Sequence, residues 1–438
     1  MTEKEEREAE GGSLLGGRWN AVHKARMKPR MLIFVFWVLT CLRVEAAKPT
    51  SLFGKVMCGY QGWFVTPADG EGMGWRHYGF EKQGQCHIDL WPDVSELDAD
   101  ERVDTPLKFA DGRTAKVFRS AHPKTVQRHF EWMREHGIDG VFLQRFGSVL
   151  RDTKSRNHAD RVLAAVRASA EAAGRSWCVM YDLSGLRAGE IESVVMQDWK
   201  RLRTELKVLE SNAYQKHAGK PVVAVWGIGF NDGRDYTLEE SHALLRFLHD
   251  NPEFGKLAVM AGVPWGWRTL DRDAAPDPKL HEVLQKADIL SPWSVGRYHD
   301  VTSATRMIGA VQAADEAWCS ERGKSYLPVT FPGFSWANLM KMRGKEAKLN
   351  QVPRLGGQFL WQQARERIQG GATMLYVAMF DEMDEGTAIF KTASKVPEGT
   401  LGFVTEESLP ADHYLWLTGQ LGKALRREIP LTEKLPTR

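Results

Sequence analysis

The chain reads as an α/β protein folded as a (β/α)8 TIM barrel with a long first βα loop. Three observations predict this. Eight short apolar runs recur along the 438 residues, and helical patterns separate them. The runs are apolar almost throughout rather than alternating, as in parallel strands covered on both faces. The length exceeds that of a minimal domain and suits one large barrel. A doubly wound open sheet is the competing architecture, because it uses the same alternation of strand and helix.

The strands are expected in order at Val56–Tyr60, Gly140–Phe146, Trp177–Leu183, Pro221–Trp226, Leu257–Val263, Ile289–Trp293, Tyr326–Phe331 and Ala372–Phe380. Each is bounded by turn residues or by the end of a helical pattern. Helices are expected at Pro123–His136, Ala159–Ala173, Leu238–His249, His281–Lys286, Thr305–Ala317, Leu360–Gln369 and His413–Arg426. The first connection, from Gln61 to Pro123, is rich in Gly, Asp, Trp and His and is too long to be a mere link. It should wall a cleft at the C-terminal face of the barrel. No linker or second domain is evident over residues 47–438, and 427–438 read as a loose tail.

The N-terminus carries a targeting pattern. Lys24, Arg26, Lys28 and Arg30 precede the apolar run Met31–Leu42, and Val44-Glu45-Ala46 then offers small residues for cleavage. Residues 1–46 therefore read as a signal peptide, with Met27 as an alternative start, and the mature protein is expected in the periplasm or secreted. The run falls short of the roughly 20 apolar residues of a membrane span, so no stable span is expected after processing. An uncleaved anchor is the competing reading. The formal net charge is +3 with no long basic run, which gives no footprint for nucleic acid. Cys58, Cys86, Cys178 and Cys319 show neither CxxC nor Cys/His ligand spacing. No glycine pattern of a dinucleotide loop precedes a good helix. Neither a cofactor nor a metal is expected.

In barrels of this class the chemistry lies just past the C-terminal ends of the strands. Those positions hold Tyr60 and Trp63, Arg145, Asp182, Trp226, Trp265, Trp293 and Tyr298, Trp336, and then the acidic run Asp381-Glu382-Met383-Asp384-Glu385-Gly386. The chain has 16 Trp, and the flat faces of such rings suit sugar rings, although core packing takes about half of them. Aromatic strand ends around clustered carboxylates point to a carbohydrate substrate. Glycoside hydrolysis needs one carboxyl to protonate the departing oxygen and a second as base or nucleophile. Neighbouring carboxyls push their pKa values apart, which keeps one protonated. Glu382 and Glu385 are the expected catalytic pair; Tyr60, Trp63, Arg145, Asp182, Trp226, Trp265, Trp293, Tyr298, Trp336 and Asp381 are expected to contact substrate. The acidic run can also be read as a solvated loop or as a site for metal-assisted hydrolysis, and His87 with Asp89 as a metal-binding pair. A glycan-binding barrel without catalysis is the alternative from another class.

Three motifs carry a resemblance to glycoside hydrolase families 99 and 71, the endo-α-mannosidase and α-1,3-glucanase relatives. Tyr60-Gln61-Gly62-Trp63-Phe64 is similar to their aromatic first-strand run. Pro332-Gly333-Phe334 resembles the turn after their seventh strand. Phe380-Asp381-Glu382-Met383-Asp384-Glu385-Gly386-Thr387 resembles the FNEWxEGT run after the eighth. The resemblance implies that Glu382 deprotonates the substrate's 2-hydroxyl, which attacks C1 to give a 1,2-anhydro sugar. Glu385 would protonate the leaving oxygen and then activate water. Asp381 stands where the family run has Asn, Met383 where it has Trp, and Asp384 lies between the glutamates, so the contacts to substrate differ from the family's.

Overall fold

The computed structural model describes residues 50–81, 85–398, 402–406 and 408–438. The leader expected over 1–46, its alternative start at Met27 and its reading as an anchor lie outside the described residues. Among the described residues no helix is long and apolar enough to cross a membrane.

The eight strands are β1 (Val56–Tyr60), β2 (Gly140–Phe146), β3 (Ser176–Asp182), β4 (Lys220–Trp226), β5 (Ala258–Val263), β6 (Ile289–Pro292), β7 (Ser325–Tyr326 continued by Val329–Thr330) and β8 (Leu375–Val377). Neighbours pair in parallel from β1 through β6, as at Met57 opposite Gly140 and Gly140 opposite Ser176, and β1 also pairs with β8. Closure falls to β7, whose first half pairs with β6 and whose second half pairs with β8. Pro328 interrupts it, because proline has no N–H for the ladder. The ring still closes there: Leu327 N donates to Leu290 O at 2.9 Å, and Tyr376 N to Pro328 O at 3.0 Å. This is the expected barrel rather than the open sheet. Strands β3, β5 and β6 are buried at every position, as continuous apolar runs require when helices cover one face and barrel side chains the other.

The helices are α1 (Pro123–His136), α2 (Thr153–Ala173), α3 (Gln197–Thr204), α4 (Leu238–Asp250), α5 (Lys279–Leu284), α6 (Val301–Glu321), α7 (Ala337–Met342), α8 (Gln358–Gln369) and α9 (His413–Leu425). Their ends follow local chemistry. Pro123 opens α1 and Gly137, in the left-handed region at φ 77°, ends it. Asp152 caps α2 by accepting from Ser155 N, and Thr237 with Glu240 forms a capping box on α4.

Several expectations change. Helices α3 and α7 were not evident in the sequence pattern: α3 follows a single π turn over Ile191–Met196, and both are short. The first loop contains an antiparallel hairpin, Arg102–Lys108 with Thr114–Phe118, whose part-exposed strands lack a continuous apolar run. The eighth strand is shorter than expected, although Ala378 N still reaches Thr330 O and Phe380 N still reaches Gly59 O. The C-terminal residues are not a loose tail. Leu431 and Leu435 pack on the core, and Trp361 Nε1 donates to Thr432 O at 2.8 Å.

Candidate active site

The acidic turn follows β8 at the C-terminal end of the barrel. Gly386 lets it fold back: its φ is 65°, and a Cβ there would lie 2.8 Å from Ser335 N. Ser335 N donates to Glu385 O at 2.9 Å, so the turn lies against the connection after β7. Asp89, from the first loop, ties these parts together. Its backbone N and that of Leu90 donate to Met383 O. Its carboxylate accepts from Ser335 Oγ, Ala337 N, Asn338 N and Asn338 Nδ2 at 2.5–2.9 Å. Asp89 is thus the cap that starts α7, and its oxygens are spent on that task. The metal-binding reading of His87 and Asp89 is corrected accordingly.

Glu382 is buried and held at both oxygens. Gln61 Nε2 donates to Oε1 at 2.7 Å and Thr387 Oγ1 to Oε2 at 2.5 Å. Burial, with the charges of Glu385 and Asp384 added to it, raises its pKa well above the usual carboxylate range. Glu385 is partly exposed, and among the described residues no side chain hydrogen-bonds its carboxyl. Burial, followed by the charge of Asp384, raises its pKa to about 7, against the opposing pull of Arg343. The two carboxyls titrate as a pair, so the proton that the pair retains can sit on either of them. One member is fixed in orientation and the other is free to exchange a proton with whatever occupies the cleft, the division of labour that acid–base chemistry requires.

Asp182, at the end of β3, accepts from Ser184 N at 2.7 Å, and burial raises its pKa to about 6; its charge adds to the upward shift of Glu385. Trp226 and Trp293 meet edge to face at 5.5 Å, and Phe230 lies 4.7 Å from Trp226. Trp63 adjoins Phe146 at 5.1 Å, and Trp336 adjoins Phe334 at 5.1 Å. All seven rings are half-buried, so each keeps some accessible surface.

Five expected contacts with substrate are redirected. Tyr60 is fully buried, with its hydroxyl 2.8 Å from His129 Nδ1. Tyr298 is fully buried and donates to Gln363 Oε1 at 3.0 Å. Trp265 is 3% exposed, beneath the guanidinium of Arg367. Arg145 points out of the barrel to the helices, where Asp198 takes it at 2.7 and 2.9 Å and Asp160 at 3.1 Å. Asp381 accepts from Gln61 N at 2.7 Å and Gly62 N at 2.8 Å, anchoring the end of β1, and burial raises its pKa to about 7. Counting from a strand end identifies a residue near the cleft but not which way it points.

Sequence reasoning passed over Gln61, Thr387, His77 and Asp384 as site residues. Their signal was their place in the motifs themselves: Gln61 and Thr387 flank the expected residues, and His77 lies in the aromatic stretch 74–80 of the first loop. His77 stacks on Trp63, with centroids 3.9 Å apart and planes 7° apart, and its Nδ1 lies 2.9 Å from Asp384 Oδ2. Among the described residues the acids grouped closely enough to hold a metal are Asp98, Asp100 and Glu101. Lys124 and Arg128 already neutralise them.

No family model matches the chain, and no curated protein matches it. Solved structures do. The glycoside hydrolase family 99 endo-α-mannosidase of Bacteroides thetaiotaomicron superposes with a TM-score of 0.62 at 13% identity, over 86% of this chain and 99% of that one. The same enzyme in complex with bis-tris propane gives 0.61 at the same identity and coverage. At this identity the likeness is one of fold: the chain has the (β/α)8 barrel architecture of that endo-α-mannosidase.

Proposed function

We propose that the chain is an exported glycoside hydrolase that cleaves α-linked glycans with Glu382 and Glu385 as its acid–base pair. The observation that carries this reading is the pair itself: two carboxyls on one turn after β8, both raised in pKa, one clamped and one free. The half-buried aromatic rings at the ends of several strands supply faces on which sugar rings can stack. The barrel likeness to an endo-α-mannosidase supports the same substrate class.

The proposed reaction has two steps. Glu382 takes the proton of the substrate's 2-hydroxyl as that oxygen attacks C1, while Glu385 gives its proton to the departing glycosidic oxygen. The product of this step is a 1,2-anhydro sugar. Glu385, now a carboxylate, takes a proton from water as the water opens the epoxide at C1, and Glu382 returns its proton to the 2-oxygen. In an α-mannoside the 2-hydroxyl lies anti to the leaving group, which allows backside attack.

The test incubates residues 47–438 with α-mannans, α-glucans and branched or sulfated polysaccharides and measures released reducing ends. Wild-type protein should release them from at least one, and Glu382→Gln and Glu385→Gln should each lose roughly 10²–10⁴-fold. A 2-deoxy analogue of the responsive substrate should resist cleavage. Wild-type turnover in either Gln variant would sink the catalytic assignment. Binding without release would favour the glycan-binding barrel, which the same aromatic rings would serve. Export is tested separately: the secreted or periplasmic fraction should contain protein whose N-terminus follows Ala46.

A further inference from the structure

The third acid of the turn has no part in the proposed reaction, yet its surroundings are built. Asp384 is 3% exposed and lies in the sequence between the clamped and the free glutamate. One carboxylate oxygen lies 2.9 Å from His77 Nδ1, and the other is buried without a hydrogen-bond partner. His77 comes from the far end of the chain and holds a left-handed backbone at φ 63°, uncommon for a residue with a side chain. Its ring lies flat on Trp63. Val65 N donates to Arg76 O at 3.1 Å, which returns the loop so that residues 63 and 77 meet. A continuous path thus runs from Trp63 through His77 to Asp384 and the catalytic turn.

We propose that His77 and Asp384 are positioning residues: their contact docks the long first loop on the acidic turn, holds Trp63 in place as a sugar-stacking platform, and places a fixed charge beside Glu385. The proposal rests on the reading of Glu382 and Glu385 as the working pair, and it assigns a task to residues that neither donate nor accept the transferred proton. The charged and titratable groups around this turn are His77 and His87 from the first loop, with Glu81 acting on His87, Arg343 from the end of α7, Asp182 from the end of β3, and Asp381, Glu382 and Glu385 from the turn itself. Asp384 is the largest charge effect on Glu385 and pushes its pKa upward; Arg343 opposes it. Removing the charge of Asp384 should therefore let Glu385 ionise at lower pH.

The experiment uses the full chain with His77→Ala, His77→Gln, Asp384→Asn and the double variant His77→Ala/Asp384→Asn. Two readouts are taken: hydrogen exchange over residues 62–81, and the pH dependence of kcat/KM on the responsive glycan. Exchange should rise in His77→Ala and in Asp384→Asn, and the double variant should be no worse than the worse single one, because both break one contact. His77→Gln, which retains a side-chain donor, should recover part of the protection. In Asp384→Asn the alkaline limb of kcat/KM should move to lower pH by about half a unit or more. Additive effects on exchange together with an unmoved limb would overturn the proposal. If no glycan is cleaved, the same displacement is read from stability against pH, as the pH at which the stabilisation by Glu385→Gln levels off, which is where Glu385 ionises in the folded protein, with and without Asp384→Asn. A displacement of that upper limit to lower pH by Asp384→Asn supports the positioning role of Asp384 even where the hydrolase reading fails, and an unchanged limit overturns it.

Discussion

Gln61 donates its side-chain amide to Glu382 at 2.7 Å while its backbone N–H, together with that of Gly62, is held by the neighbouring Asp381. The end of β1 and the turn after β8 are therefore bound together twice, once through a carboxylate given up to structure and once through a carboxylate kept for chemistry. Adjacent acids on one turn have opposite fates because successive side chains point in different directions.

Replacement of Gln61 by Leu should lower kcat with little change in KM. The lost bond is one to the carboxylate that Glu382 must present when it acts as base, worth about 1.5–3 kcal/mol, or roughly 10–100-fold in rate if it orients Glu382 for proton transfer. Steady-state kinetics on the responsive glycan check this, and an effect confined to KM would contradict it.

The pH profile should fall on the alkaline side near pH 7, where Glu385 loses the proton it donates. Stability should show the same group. The pKa of Glu385 is raised on folding, so its cost is absent below about pH 4, grows as the unfolded chain ionises first, and is complete above about pH 7. Glu385→Gln should accordingly raise stability by about 2–3 kcal/mol at pH 8, allowing for its partial exposure, and by almost nothing at pH 4. Urea unfolding at the two pH values measures the difference.

Asp381→Ala should destabilise the fold by about 3 kcal/mol, because two backbone N–H groups at the end of β1 would be left without their acceptor. Asp381→Asn should cost less, since its amide oxygen still satisfies one of them. A chemical denaturation series on the two variants distinguishes this anchoring role from contact with substrate, which would raise KM and leave stability alone.

The aromatic residues should separate into two classes. Trp226→Ala and Trp293→Ala should raise KM with modest loss of stability, because both rings keep accessible surface. Trp265→Ala should cost about 3–5 kcal/mol of stability, since that ring is buried. Arg145→Met should likewise destabilise by about 3 kcal/mol without altering KM, by leaving Asp198 and Asp160 without the guanidinium between them. Thermal melts beside KM values for the four proteins test the division.

Much of the barrel was legible in the sequence for one reason: a strand covered on both faces must be apolar along its whole length. Val56–Tyr60 and Gly140–Phe146 match their expected bounds, as does α1, which has Pro at its start and Gly at its end. The hairpin at Arg102–Lys108 and Thr114–Phe118 was hidden because its partly exposed strands carry charges and lack that pattern. The C-terminal residues looked loose because their docking depends on Trp361 and the core surface, which lie elsewhere in the chain.

What the sequence determined by itself was local: the strand and helix periods, the caps, and the placing of the acidic run just after the eighth strand, where a barrel presents its chemistry. What the tertiary structure decided was the use of each side chain. The sequence places Asp381, Glu382, Asp384 and Glu385 within five residues, with Thr387 just after them, but only the fold brings Gln61 and His77 against them from the other end of the chain. The same holds for Tyr60 and Arg145, whose strand-end positions suggested a cleft while their partners His129 and Asp198 drew them into the protein. Periodicity is a property of neighbours along the chain; the direction and charge of a buried polar group depend on the partners that reach it through space.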